Sequence, residues 1–308
     1  MNSIGAMLIP RLGRALLTLW LVVTVVFVIL RSSGDPVRLL LPSDASDEQV
    51  LALRHEFGLD DSIPIQYVKF WREMASGNFG DSMRFNQPAM ELVLDRFPAT
   101  LRLALVAFAL AATFGLAIGS LTAFLRGSGF DRGAVAVMGV LQSAPSFFLG
   151  IMLILIFSVK LGWLPTSGYG SFKQMILPAV TLSALTMASI ARLTRSSLLE
   201  VLRADYVRTA RAKGLTEGIV WFRHALRNAA LPLATVLGLE LALLLTGAVI
   251  VETVFAWPGI GRLAVDAVSS RDYPVVQSAV LLISFIFVAI NLIVDLSYNV
   301  LDPRVRNG

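Results

Sequence analysis

Along this chain long apolar runs alternate with polar breaks, and the length of each run decides what it can be. Apolar residues dominate 15–30, 99–125, 134–159, 175–190, 229–251 and 275–300. A helix rises about 1.5 Å per residue, so roughly 20 residues cross a hydrocarbon layer of about 30 Å, and each run reaches that length once its flanks are counted. Lipid offers backbone amides no partner, which leaves helices as the form for such uninterrupted runs. The pattern predicts an all-α, polytopic membrane protein with six transmembrane helices. The first run follows Arg11 and Arg14 and looks at first like a secretion signal. No small-x-small cleavage site comes after it and further spans do, so residues 1–31 are expected to remain as an N-terminal transmembrane helix with its N-terminus inside.

The one long polar section, 32–98, is organised differently. Ser46, Asp47 and Glu48 open a helical piece ending near Gly58, Pro64 opens another through Met74, and Pro88 opens a third closed by Pro98. Its eleven acidic residues against six Lys and Arg suit the outer face, where basic residues are not retained. Residues 99–308 then form a five-helix core. The inner segments 1–14, 126–132, 192–228 and 301–308 hold fourteen Lys and Arg, and the short outer segments 160–175 and 252–275 hold four. That asymmetry places both termini in the cytoplasm.

Polar atoms inside the apolar runs are the next signal. Ala111, Gly115 and Gly119 recur every four residues on one helix face, where small residues let helices pack closely in lipid. Gln142, Ser143, Ala144, Pro145 and Ser146 put hydrogen-bonding groups and a proline at membrane depth. Proline frees a carbonyl four residues back, so the stretch is either a kink lining a pathway or a purely structural one. Glu240 lies in the middle of the fifth run, and an intramembrane carboxylate should face the bundle interior, as a hydrogen-bonded structural group or a pathway residue. Asn291 and Asp295 lie near the inner end of the sixth run.

Between the fourth and fifth runs comes a water-exposed break, 198–232, that reads as two short helices joined at Gly214. Helix formers run up to Lys213, glycine can take the left-handed turn that ends a helix, and Thr216 can cap the second of the pair. Six cations, Arg203, Arg208, Arg211, Lys213, Arg223 and Arg227, outnumber Glu200, Asp205 and Glu217. A basic helix pair here either only fixes orientation and touches anionic lipid, or offers a grip to a soluble partner.

The residues of this break carry a resemblance. Tyr206-Val207-Arg208-Thr209-Ala210-Arg211-Ala212-Lys213-Gly214-Leu215, followed by Arg223-His224-Ala225-Leu226-Arg227-Asn228 and Leu231-Pro232, resembles the cytoplasmic coupling loop of ABC importer permeases. It is similar to the dipeptide, oligopeptide and nickel branch, with Arg208-Thr209-Ala210 where the wider family has Glu-Ala-Ala. The stretches GDPVRLLLP, HEFGLDDSIPIQYVKFW and GNFGDS within 34–82 resemble the first external section of the same branch, Glu252 to Leu263 with Arg271 to Pro274 its last outer loop, and Leu301-Asp302-Pro303-Arg304 its ending. The resemblance implies the type I ABC importer permease fold and a place as the first of two permeases in a bacterial inner (plasma) membrane importer. It implies a periplasmic section at 32–98 and a coupling loop at 196–228 in which Tyr206, Arg208, Thr209, Ala210, Arg211, Lys213, Gly214 and Leu215 meet the ATPases. The partners implied are a second related permease, two ATPase subunits, a periplasmic or lipid-anchored substrate-binding protein and membrane lipid. Gln142, Ser143, Ser146 and Glu240 are the pathway candidates.

The chemistry of the chain narrows the function further. None of the four lysines, Lys69, Lys160, Lys173 and Lys213, sits in a Gly-x-x-x-x-Gly-Lys-Ser/Thr phosphate loop, so ATP and magnesium are expected on partner subunits and no cofactor on this chain. With no cysteine and two histidines, His55 and His224, no metal site and no hydrolase motif is expected, and the net charge of +5 needs no nucleic acid to explain it. The rivals are an ion-gradient-driven secondary transporter using Glu240 or Asp295, and a membrane scaffold with no transport. Dipeptides, longer peptides, glutathione, nickel complexes and opines all remain candidate solutes.

Overall fold

A computed structural model of the chain describes residues 2–301 other than 33, 35–36, 38–40 and 42–44, with side chains outside 2–8, 231 and 295–301. Asp302, Pro303, Arg304 and the side chain of Asp295 therefore lie outside the described residues, as does part of the 34–42 motif. The described residues are helical, with a single bridge between Asp81 and Pro88 in place of any strand. In order they are α1 (Asn2–Ser32), α2 (Asp47–Glu56), α3 (Ile63–Ala75), α4 (Ala89–Phe124), α5 (Gly129–Ser143), α6 (Ser146–Leu153), α7 (Phe172–Val201), α8 (Asp205–Ala212), α9 (Glu217–Ile219), α10 (Arg227–Val254), α11 (Ile260–Ser269) and α12 (Tyr273–Leu301). Wider π turns, Ile154–Lys160 and Val220–Leu226, extend α6 and join α9 to α10. Among the described residues five helices are long and apolar enough to cross a membrane, and the pair from Gly129 to Lys160, bent by 107°, makes a sixth if it is one span.

Packing divides the chain into two compact units, one of residues 1–100 with 258–288 and one of 101–257 with 289–308. In the first, Leu30, Ala89, Val93, Ile260, Tyr273, Val276 and Ala279 share one buried cluster. Phe27, Tyr67, Phe70 and Trp71 add an aromatic group whose ring centroids lie 5.3–6.2 Å apart. The capping box at Ser46 and Gln49 starts α2, and Pro64 opens α3, as the sequence pattern predicts. Asp272 organises the segment before α4: its buried carboxylate accepts from the Ser82 hydroxyl at 2.5 Å and from the Met83 and Arg84 amides at 3.2 and 3.4 Å.

In the second unit α7 is the axis. Its apolar window is 61% buried, against 11–28% for the other unbroken spans, and it packs on α5, α6 and α10. The expected span at 175–190 is extended by this helix to Val201. Thr181 and Thr194 do not interrupt it, because their hydroxyls donate back to the carbonyls of Leu177 and Ile190 at 2.8 and 2.7 Å. Nor does Arg195 end it: the guanidinium is neutralised by the nearly buried Asp131 of α5 through two bonds of 2.8 and 2.9 Å.

Two other expectations are corrected. Pro98 does not close a helix, because α4 runs unbroken from Ala89 to Phe124. The proline and Leu94, whose carbonyl it crowds, both lie on an exposed face, while Ala89, Val93, Ala99, Leu103 and Ala107 are buried and hold the helix before and after it. The polar stretch at 142–146 is a break and not a kink, since Ala144 and Pro145 adopt extended backbone and end α5 outright. A residue before proline is pushed from helical to extended geometry, which Ala144 satisfies.

The small residues of α4 allow close approach to α7. A Cβ at Gly115 would lie 2.9 Å from Ile190 Cβ, and one at Gly119 would lie 2.6 Å from Thr194 Cβ and collide with the Ala191 carbonyl. Overpacking of this kind costs about 1–3 kcal/mol or more. We expect Gly119→Leu to lower the unfolding temperature of the purified protein, whereas Gly133→Ala, on an exposed helical position with nothing within 4 Å, leaves it unchanged or raised. Equal melting of wild type and Gly119→Leu would show that α4 and α7 do not meet there.

Candidate coupling segment and pathway residues

The segment after α7 is built from an amphipathic helix whose inner face is small. Val207 and Ala210 of α8 are buried against Val220, with Val201 and Leu202 beside them. Tyr206, Arg208, Thr209, Arg211, Lys213 and Leu215 are exposed. Ala210 therefore belongs to the packed side of the predicted group and the others to its outer side. Asp205 in the first turn favours the helix dipole and pairs with Arg208 at 3.2 Å.

Gly214 ends α8 as its residue type predicts. It has φ +79°, its amide donates to the Arg211 carbonyl at 2.9 Å, and the Leu215 amide reaches back to the Ala210 carbonyl at 3.3 Å. These two bonds form a Schellman motif, which needs a left-handed residue at this point. Arg211 then folds over the turn and grips Glu217 with two bonds of 2.7 and 3.1 Å. That hydrogen-bonded pairing holds the Glu217 carboxyl below its ordinary range and raises Arg211.

The second half departs from the expected pair of short helices. Thr216 stands at the cap position with extended backbone, but its hydroxyl makes no capping bond. The chain then runs from Glu217 through the π turn into α10 without a break, because Trp221, Ala225 and Ala229 bury their faces with Ala123, Leu198 and Leu233. Trp221 also meets Phe124 edge-on, at 5.3 Å. The fifth span and the second of the two expected short helices are thus one element.

The pathway candidates fall into two places. Gln142, Ser143 and Ser146 flank the break between α5 and α6. The Ser143 hydroxyl donates to the Gly139 carbonyl at 3.0 Å, while Gln142 Nε2 is buried without a hydrogen-bond partner. Glu240, half-buried on α10, lies beside Thr186 and Ser189 of α7. These neighbours are on α7 and not at the break. Among the described residues no group of His, Cys, Asp and Glu is placed to hold a metal ion.

Two buried polar centres are not predicted by the sequence pattern. The Asp131–Arg195 pair joins residues 64 positions apart, and Asp272 serves a turn 188–190 positions away. Neither spacing leaves a local signal. An odd acidic residue between Arg126 and Arg132 is the one hint of the first.

Residues 115–307 match the family described as the binding-protein-dependent transport system inner membrane component, and residues 5–104 match its N-terminal region. The chain belongs to that family. This permease is 42% identical over 327 residues to the di/tripeptide transport system permease protein DppB of Pseudomonas aeruginosa, covering 96% of this chain and 97% of the relative. It is 45% identical over 293 residues to the glutathione transport system permease protein GsiC of Salmonella paratyphi A, covering 94% and 95%. Among solved structures, the inward-facing MetNI methionine ABC transporter superposes with a TM-score of 0.58 at 20% identity, over 70% of this chain and 98% of that one, which shows the type I importer fold. The permease is a multi-pass inner-membrane subunit of a dipeptide and oligopeptide type ABC importer.

The Arg211–Glu217 pair gives the segment a pH dependence with a defined sign. Because the folded-state carboxyl is depressed, its contribution is complete above the ordinary value of 4.5 and is lost as pH falls through the lower folded value. We expect the protection of amides around Leu215, measured against their intrinsic exchange at each pH, to fall as pH drops below 4.5, and Glu217→Gln to lack that protection at neutral pH with the dependence removed. A variant protected like wild type at pH 7 would show that the pair does not hold the turn.

Proposed function

We propose that the permease carries half of the translocation pathway of an importer for peptides or similar small solutes, and that 196–228 is the cytoplasmic segment through which ATPase movement reaches it. The observation that carries this is the construction of α8: a polar outer face of Tyr206, Arg208, Thr209, Arg211 and Lys213 on an inner face anchored to Val220. Such a helix offers a partner a charged surface and passes displacement into the packed ends of the spans. The count of basic residues puts this segment, with both termini, in the cytoplasm and 32–98 in the periplasm.

The chain has no phosphate loop, so ATP and magnesium are held by two ATPase subunits, each needing its own docking segment. One coupling segment per chain then requires a second, related permease, and a periplasmic or lipid-anchored binding protein delivers the solute. The names of the relatives make peptides and glutathione the first solutes to assay. The unpartnered Gln142 amide at the broken span supports a pathway part for Gln142, Ser143 and Ser146. The neighbouring Thr186 and Ser189 hydroxyls support a structural part for Glu240.

Two measurements test this reading. Since the chain has no cysteine, Ser62→Cys should react with a membrane-impermeant thiol reagent from outside, and Gly218→Cys after the membrane is opened; the reverse pattern overturns the topology. Reconstituted with the second permease, ATPases and binding protein, the chain should support uptake that requires ATP. Gly214→Val, which strains the left-handed turn by about 1–2 kcal/mol without a side-chain clash, should reduce that uptake while leaving insertion intact. Accumulation by the purified chain alone on a proton or sodium gradient would establish the secondary-transporter alternative instead.

A further inference from the structure

A cavity of about 350 Å³ in the first unit lies where α1 ends and α3 begins, walled by Arg31, Arg54, Asp61, Ser62, Gln66 and Tyr273, among others. Two polar groups in its wall are left over by the fold. The guanidinium of Arg31 lies over the rings of Phe27 and Tyr273, 5.3 and 5.0 Å from their centroids, yet its Nε and Nη1 are buried with no hydrogen-bond partner. Rings occupy the faces of a guanidinium, and its in-plane N–H groups are what an anion takes. Gln66 is 8% exposed. Its Nε2 donates to the Leu59 and Asp61 carbonyls at 3.2 and 2.7 Å, which fixes the orientation of the amide and leaves Oε1 as a buried acceptor with no donor. The other charges of the wall are matched within the protein: Asp61 pairs with Lys69 at 2.5 Å, and Arg54 with Asp60 at 3.8 Å. Among the described residues Arg31 is in no ion pair.

We propose that this cavity holds the headgroup of a membrane phospholipid, its phosphate on the free edge of Arg31 and a hydrogen-bond donor of the headgroup, an ammonium or a hydroxyl, on Gln66 Oε1. Depth and surroundings select a lipid. Arg31 is the second-last residue of the 24-residue apolar span Ile9–Ser32, the level at which hydrocarbon gives way to headgroups. Only 11% of the apolar window of that span is buried, so α1 leaves most of its length for acyl chains. The helix α3 lies against the same stretch: Tyr67 shares a hydrogen bond of 2.8 Å with Thr24 and meets Phe27 edge-on. Thr24 is about 10 Å deeper than Arg31 along α1. On the turn of α3 that carries Tyr67, Ile65 and Val68 are 49% and 67% exposed, apolar side chains that an acyl chain would cover and a free anion would not. The N-terminal end of α3, where Ser62 makes no side-chain capping bond, adds its partial positive charge to the wall. The inference needs α1 to span the membrane and is independent of the coupling and the solute proposed above.

The test titrates the full-length permease, delipidated in detergent, with phosphatidylethanolamine, phosphatidylglycerol and phosphatidylcholine of identical acyl chains, and reads bound lipid by native mass spectrometry. The choline headgroup carries a phosphate but no N–H or O–H donor, so the first two lipids should bind the wild type about fivefold tighter than the third. Arg31→Gln should raise the Kd of all three about tenfold, as loss of a charge-assisted hydrogen bond does. Gln66→Met should abolish the preference over phosphatidylcholine and leave the phosphatidylcholine Kd unchanged, which also reports an intact cavity. Arg72→Gln, at an exposed arginine of α3 outside the cavity, should change none of these values. Thermal unfolding separates binding from a purely structural part for Arg31: phosphatidylethanolamine should raise the melting temperature of the wild type and not that of Arg31→Gln. Should Arg31→Gln not fold, the wild-type preference and its loss in Gln66→Met decide the question. Wild-type Kd values in Arg31→Gln overturn the proposal. So do an equal loss in Arg72→Gln, equal stabilisation of wild type and Arg31→Gln by lipid, or equal affinity of the wild type for the three lipids. Displacement of the lipid by inorganic phosphate overturns it too, by assigning the site to a free anion.

Discussion

The close contact of α4 with α7 is the constraint on which the larger unit depends. Apolar transfer cannot drive helices together in lipid, so they associate where small residues let backbones approach and where polar groups are satisfied. Gly115 and Gly119 provide the approach, at distances that leave no room for a side chain. On the other side of that contact, α7 satisfies the Thr181 and Thr194 hydroxyls internally, pairs Arg195 with Asp131 and packs along α10. One helix thereby fixes α4, α5 and α10. A longer side chain at Gly119 would act on all of these positions together.

That arrangement also connects the two sets of proposed functional residues. Arg195 lies in the last turns of α7, just ahead of α8, and its partner Asp131 lies in the first turn of α5. The break at Ala144 and Pro145 ends the same α5. Movement imposed on α8 therefore has a short route through a two-point ion pair to the helix that carries Gln142 and Ser143. Electrostatic fixation is strong here because Asp131 is nearly shielded from water while accepting from both Arg195 and the Gly127 amide.

Run length, capping residues and turn residues made most helices legible in the sequence. Ser46, Pro64 and Gly214 each do locally what their chemistry implies, because a cap or a left-handed turn depends on a few adjacent atoms. The failures share a different cause. Pro98 reads as a stop, and it is overruled by packing supplied by distant residues. The break at Pro145 was visible as polarity, but its 107° extent depends on how α6 packs against α7 and α10. Of the proposed coupling residues, the pattern named the segment but could not tell that Ala210 faces inward, since that depends on the return of Val220.

The uninterrupted run from Glu217 to Val254 has a mechanical meaning. At roughly 1.5 Å per residue it forms a shaft several tens of ångströms long, packed at its base through Trp221 and Ala225. Gly214 does not free α8 from that run, because its turn is closed by backbone bonds and by the Arg211–Glu217 pair, and Val207 and Ala210 sit on Val220. In the coupling role proposed for this segment, α8 and the shaft would then move as one lever, so that the angle at which an ATPase seats would set the angle of the fifth span.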